Sequence, residues 1–180
     1  KEGQAIDEDV HIVEGPGQRT IEPPQEGMRR GVLRRGTARE LFLAFHAAAP
    51  GTREALVQTL LADVLSRDIT SRLDRRLDIE EKAACEVWAF ADVNGRYPGL
   101  LVLHAKPLEG FTNEAIETMI WEELRGLVTR PVTREKLDEI TASRRKRFYR
   151  GLTTNPSLAS FLVDAQTVHG DWRRPLEILR

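Results

Sequence analysis

Apolar and polar positions change period several times along the chain, and each change marks an element. Met28 to Arg35 alternates weakly, with Met28, Val32 and Leu33 set among arginines, which predicts a peripheral strand with a charged face. Glu40 to Ala47 contains Leu41-Phe42-Leu43-Ala44-Phe45, apolar on both faces, the pattern of a central strand. Gly36-Thr37 supplies the turn between them. Pro50-Gly51-Thr52 then opens a helix with Thr52 as its N-cap. Leu56, Val57, Leu60, Leu61, Val64 and Leu65 form one apolar stripe on it. A short helix over Ser71 to Leu77 follows, with Leu73 and Leu77 at i and i+4.

Two strands come next. Ala83 to Ala91 carries Cys85, Val87, Trp88 and Phe90, and Gly99 to Ala105 carries Leu100-Leu101-Val102-Leu103. Asn94-Gly95 lies between them as a hairpin signal, although Arg96, Tyr97 and Pro98 make the connection longer than two residues. The last third is helical. Thr112 to Val128 places Ile116, Met119, Ile120, Leu124 and Leu127 on one face. Thr133 caps a helix to Tyr149 that carries Leu137, Ile140 and Phe148. Asn155-Pro156 reads as a capping Asn before a Pro at the first helical position. That helix carries Leu158, Phe161, Leu162 and Ala165, and Gly170 ends it. Trp172 to Arg180 begins one more. Strand, strand, helix, helix, strand, strand, then helices is not a βαβ alternation. It predicts an α+β fold, a two-layer α/β sandwich whose largely antiparallel sheet is covered by helices.

Residues 1–27 sustain no apolar period and are broken by Gly15-Pro16-Gly17 and Pro23-Pro24, so they read as a linker or entry segment before a domain over 28–180. The chain starts at Lys1, and its last helix is still running at Arg180, as expected of a piece of a longer protein. At 180 residues, 41% hydrophobic and 31% charged, it is long enough for one cored domain. The 27 basic and 28 acidic residues leave a net charge of −1, which gives no general pull toward nucleic acid or an anionic membrane. The one cysteine rules out an internal disulfide. No apolar stretch has the length of a leader or a membrane span.

Chemistry is sparse. His11-Ile-Val-Glu14 has one ligand of an inverted zinc motif, but Gly15 stands where the second His belongs and Pro16 follows. His46 and His104 each end an apolar run, where a solvated or hydrogen-bonded tip suffices, since nothing supplies a third ligand. His169 beside Gly170 suits a helix C-terminus. Cys85, among Ala83, Ala84, Val87 and Trp88, reads as a buried inert thiol. Arg144-Arg-Lys-Arg147 with Phe148, Tyr149 and Arg150 is the sharpest basic cluster. On a helix those residues point around all sides, with Arg144 and Arg147 sharing a face. Glu135, Asp138 and Glu139 precede them, as the helix dipole favours. The cluster therefore reads as structural rather than as a nucleic-acid site. Ser66, Ser71, Ser143, Ser157 and Ser160 form no nucleophile elbow, and Asp63, Asp68 and Asp78 have no calcium-loop spacing.

Several segments in order resemble one family. Glu22-Pro-Pro-Gln-Glu-Gly-Met-Arg-Arg30 resembles the entry to the second domain of pitrilysin/insulinase-type zinc peptidases, the group that includes mitochondrial processing peptidase. Ala44-Phe-His-Ala-Ala-Ala-Pro50, Leu60-Leu-Ala-Asp-Val-Leu-Ser66 with Ser71-Arg-Leu73, Arg130-Pro-Val-Thr-Arg-Glu-Lys-Leu137 and Gly170-Asp-Trp-Arg173 continue the likeness over roughly residues 22–180. The resemblance implies a two-layer domain that follows the catalytic one, which would hold the zinc and its His-x-x-Glu-His motif. It implies no catalytic, metal or cofactor residue in this chain. Asp78 and Cys85 stand where some members carry a substrate-binding Arg and Tyr, so no substrate-binding residue carries over. The implied partners are the preceding catalytic domain, or a catalytic partner subunit, and a peptide substrate, which an edge strand would bind by backbone hydrogen bonds. A non-enzymatic scaffold subunit of a paired assembly is the alternative. Bacterial members are often periplasmic.

Overall fold

The structure, a computed structural model, describes residue 25 and residues 27–33, 39–93 and 98–178. The chain divides into two units, Lys1–Thr37 and Ala38–Arg180. The His11 motif, the Gly36-Thr37 turn and the Asn94-Gly95 signal lie outside the described residues.

In the first unit, residues 28–33 form no strand, contrary to the alternation over Met28 to Arg35. Met28, Val32 and Leu33 are all exposed. Three apolar residues in eight make too small a face to hold a strand without a ladder of partner hydrogen bonds.

In the second unit, strand β1 (Leu41–His46), helix α1 (Arg53–Leu65), a π-helix (Asp74–Glu80), strands β2 (Ala84–Ala91) and β3 (Leu100–Pro107), and helices α2 (Asn113–Thr129), α3 (Arg134–Gly151), α4 (Asn155–His169) and α5 (Arg174–Ile178) follow in order. The sheet order is β1-β3-β2, antiparallel throughout, with Leu43 opposite Leu103 and Ala89 opposite Leu103 on its other side. The α+β layering is as the sequence predicts. The central strand is β3, however, and β1 lies at an edge of the described sheet. Its two apolar faces have another cause, taken up below.

Alternation assigns the core. Leu41, Leu43 and Phe45 face the helices together with Leu103, Ala105 and Val87. Leu65, Leu73, Leu77, Ile116 and Ile120 close the cluster, each fully buried. Burying a Leu or Ile side chain stabilises the fold by about 1.5–3 kcal/mol, so this cluster is the main driving force of the unit. The face of α1 differs from the expected stripe: Ala55, Ala62, Val64 and Leu65 are buried while Val57 is exposed. With Ala55 and Ala62 facing inward, Val57, two positions from Ala55, falls on the opposite side of the helix.

Thr52, Thr112 and Thr133 cap α1, α2 and α3, accepting from Ala55 N, Ala115 N and Lys136 N. On α4 the cap is Thr154, not Asn155; its hydroxyl accepts from Ser157 N at 3.3 Å, and Asn155 is already helical. Gly170 closes α4 at φ 72°, a left-handed value that suits glycine. Leu73 and Leu77 keep their burial within a helix wider than predicted: the Glu81 amide donates to the Arg76 carbonyl, five residues back. Gly99 lets the end of the hairpin close, because a Cβ there would sit 2.4 Å from the Asp92 carbonyl oxygen.

Candidate functional site

With α2 and the π-helix packed on the inner face of the sheet, the outer face presents Phe42 and Ala44 from β1, Leu100, Val102, His104 and Lys106 from β3, and Trp88 and Phe90 from β2. Phe42 is 55% exposed, Trp88 37%, Phe90 47% and Leu100 43%. This is the reason β1 is apolar on both sides: Leu41, Leu43 and Phe45 serve the core, and Phe42 serves this second surface.

His104 lies at its centre and is 4% exposed. Register places it between Phe42 and Trp88. Its ring is 4.5 Å from Phe42 and 4.6 Å from Trp88, stacked on the indole at 23°. Phe42 meets Trp88 edge-on at 6.1 Å, and Phe90 adjoins the indole at 5.6 Å. His104 Nδ1 is 2.9 Å from the Glu86 carbonyl oxygen. A carbonyl only accepts, so Nδ1 donates the hydrogen. Nε2 faces the Glu40 carboxylate at 3.6 Å. The imidazole thus turns its polar atoms to the strands, lays one face on the Trp88 indole and meets the Phe42 ring at a tilt of 44°. His104 is hydrogen-bonded, one of the two states the sequence allows, but it lies inside the strand rather than at its tip, because β3 runs on to Pro107.

A break in β2 makes this geometry. The ladder shifts between Cys85 and Trp88, and Glu86 takes φ 51°, a left-handed conformation that costs a non-glycine residue about 1–2 kcal/mol. The bulge aims the Glu86 carbonyl at His104 and returns Trp88 to register. Lys106 Nζ donates to Glu86 Oε1 at 2.8 Å, on the rim. That hydrogen bond and the ammonium charge hold the Glu86 carboxyl below its ordinary value, and Glu86 in turn raises the Lys106 ammonium. Cys85, opposite Lys106, is half-buried rather than a core thiol, because the bulge lifts it from the packed layer.

The other candidates do not converge. His46 lies opposite Leu100, four positions along β1 from the Phe42–His104 pair, a separation of about 13 Å. His169 ends α4. Asp78 is exposed on the π-helix. Among the described residues no group of three His, Cys, Asp or Glu could hold a metal ion, so they do not fit a zinc site. No described helix is long and apolar enough to cross a membrane.

Arg144, the first residue of the basic cluster on α3, is tied into the fold. Arg144 Nη1 donates to Asp63 Oδ2 at 2.7 Å. Arg67 reaches the same oxygen at 3.4 Å, the Ile140 carbonyl at 3.2 Å, and the Ser143 hydroxyl. Arg144 and Arg147 do share a face, on an open cleft of about 810 Å³ between α3 and α4 where Phe148 meets Phe161 at 5.3 Å. Leu158 and Leu162 of α4 are 41% and 36% exposed, and Ala165 is its buried residue.

Residues 11–143, more than half of the chain, match the family described as Peptidase M16 inactive domain. The chain belongs to this family. Solved structures share the fold of this M16 domain. One is the crystal structure of "the Inactive Peptidase Domain of a Putative Zinc Protease from Bordetella parapertussis"; it is 22% identical with a TM-score of 0.68, over 79% of this chain and 75% of that one. A "putative zinc protease" from Bordetella pertussis Tohama I is 21% identical with a TM-score of 0.65, over 75% and 73% of the two chains. A protease from Helicobacter pylori is 16% identical with a TM-score of 0.70; the match covers 78% of this chain and 33% of that one. No curated protein matches. The family and the fold are those the resemblance implied.

The aromatic quartet on the outer face is what the residue-by-residue reading missed. Its signal was present: β1 and β3 are apolar on both faces, and a two-layer fold uses only one.

Proposed function

We propose that this M16 inactive domain, extending over residues 28–180, packs beside a catalytic zinc-peptidase domain and helps enclose peptide substrate. The family match over residues 11–143 carries the reading. The Helicobacter protease supports it, since the likeness there takes up a third of a longer chain. In this reading the zinc and the water it activates belong to the other domain, and this chain contributes wall and orientation. β1 pairs with β3 alone among the described residues, so its other edge offers backbone donors and acceptors to an extended peptide.

The test compares the 180-residue chain with the polypeptide that contains it. After dialysis, metal analysis is expected to find about one zinc per parent and none on the chain, and a quenched peptide is expected to be cut by the parent alone. Stoichiometric zinc on the chain would overturn the assignment. A parent with neither zinc nor activity would point instead to a scaffold subunit.

A further inference from the structure

We propose that the cleft between α3 and α4 binds an acidic peptide segment, seating an apolar side chain on Phe148 and Phe161 and pairing a carboxylate with Arg147. The site lies in the helical layer and goes beyond the role proposed above.

Charge and shape carry it. Arg144 to Val163 holds five cations and no carboxylate, in a chain whose net charge is −1. Arg144 is held by Asp63. Lys146, Arg147 and Arg150 form no ion pair among the described residues. Arg147 lines the cleft, and Arg150 follows three positions on, along the same side of α3. A guanidinium without a carboxylate at the edge of a cleft presents a fork of donors that matches a carboxylate in two bonds. The cleft itself, about 810 Å³, has room for several side chains. Phe148 and Phe161 meet in it edge-on, at 5.3 Å and 82°, with Leu152 and Pro156 beside them. Two rings locked in that arrangement are a firm apolar seat next to the free cation.

The same features choose among anionic partners. A lipid surface is flat and does not enter a cleft between two helices. A nucleic-acid backbone carries a charge at every phosphate and would meet Asp164, which lines the α4 wall 3.5 Å from the Ser160 hydroxyl. A peptide spaces its carboxylates, and its amides donate to Asp164 where a phosphate is repelled. An apolar seat beside an arginine therefore fits an acidic segment with an apolar side chain.

Fluorescence anisotropy on the 180-residue chain tests this, with a short labelled peptide of glutamates around one leucine–phenylalanine pair. Replacing the glutamates by glutamine, or the apolar pair by glycine, should each weaken binding about fivefold or more. Arg147 is exposed, so its substitution leaves the core intact. Arg147→Glu should weaken binding about fivefold or more, and Arg147→Lys less. Arg134→Glu makes the same charge change about 20 Å away along α3 and should leave binding within about twofold. Amide chemical-shift changes should centre on Gly151, Leu152 and Ser157, which line the cleft. Failure of the acidic peptide to bind, equal losses in Arg147→Glu and Arg134→Glu, or shifts centred elsewhere would overturn the proposal. So would tighter binding of oligouridylate or of phosphatidylserine vesicles than of the peptide. The parent polypeptide should bind the peptide as the chain does. Binding by the chain alone would show the cleft covered by the parent's own residues, and would overturn the proposal too.

Discussion

Asp63 couples α1 to α3, and a double-mutant cycle with Arg144 measures how much. The Asp63 side chain is 13% exposed, Arg67 12% and Arg144 32%. Hydrogen bonds to charged groups contribute about 1.5–3 kcal/mol when well made, and the Arg144 bond at 2.7 Å qualifies. The Arg67 contact at 3.4 Å is longer, and Arg67 keeps the Ile140 carbonyl and the Ser143 hydroxyl whatever happens to Asp63. Arg144 is a third open to water, which screens its share. Asp63→Ala should therefore cost about 2 kcal/mol, below the roughly 3–5 kcal/mol of a fully buried pair. In a domain of this size that lowers Tm by about 4–8 °C. Arg144→Ala should cost about 1 kcal/mol, and the cycle should return a coupling of about 1 kcal/mol. Urea titration of the four proteins, with m-values checked for constancy, gives the numbers. A coupling within about 0.3 kcal/mol of zero would refute the view that Arg144 is held by Asp63, and would make Arg144 a candidate binding residue as well.

Two further predictions follow from single side chains. Thr154→Ala should lose about 1 kcal/mol of stability and Asn155→Ala at most about 0.3 kcal/mol, since the hydroxyl alone serves the Ser157 amide; equal losses in urea titration would place the cap at Asn155. Asp74 and Asp68 should respond to pH with opposite sign. Burial raises the Asp74 carboxyl above its ordinary 3.8, against a smaller opposing effect of a Ser66 hydrogen bond, and its Oδ2 is buried without a hydrogen-bond partner. The folded state then binds the proton more tightly than the unfolded one. The ionised group opposes folding above its folded value, and that cost vanishes below 3.8. Asp74→Asn should therefore raise Tm at pH 7, and the gain should fade in acid. Asp68 is lowered, first by the Thr70 hydroxyl, so its contribution is present above 3.8 and is lost as pH falls. Asp68→Asn should lower Tm at pH 7 and converge with the unsubstituted chain in acid. Thermal melts from about pH 3 to 7 decide both, and parallel shifts of the same sign would refute the pair.

Elements and most caps were legible because their causes are local. Thr52 and Thr133 each stand one turn before an apolar run, and the hydroxyl that caps is the one the pattern names. Thr154 slipped by one residue because Thr and Asn both cap and Pro is tolerated at either of the first two helical positions. The π-helix was invisible, since Leu73 and Leu77 reach the core under either winding. His104 was misplaced for a different reason. What holds it lies across the sheet, on Phe42 and Trp88, and a polar residue after four apolar ones looks like an end when its neighbours cannot be seen. Arg144 likewise finds Asp63 at a separation of 81 residues. The site residues that sequence weighed were its reactive types. The surface the structure offers is made of Phe and Trp, which carry no chemical signature.

The same contrast bears on why this domain belongs with the inactive members of its family. Buried ionisable groups are where a fold can tune reactivity. Here Glu123, Asp63 and His104 are each spent on internal partners. Glu123, 8% exposed, lies 3.7–3.9 Å from the guanidiniums of Arg72, Arg76 and Arg130 and so joins α2 to the π-helix. Asp63 joins α1 to α3. His104 joins β3 to the bulge of β2 and to Glu40. A group that holds two elements together is committed to one orientation, the opposite of what a general base or a metal ligand awaiting its ion requires. Among the described residues, apolar area on the sheet and the unpaired backbone edge of β1 face outward instead. Those are the means by which a domain positions other things. The role proposed above, in which this unit holds and covers while a neighbouring domain cuts, would use those means.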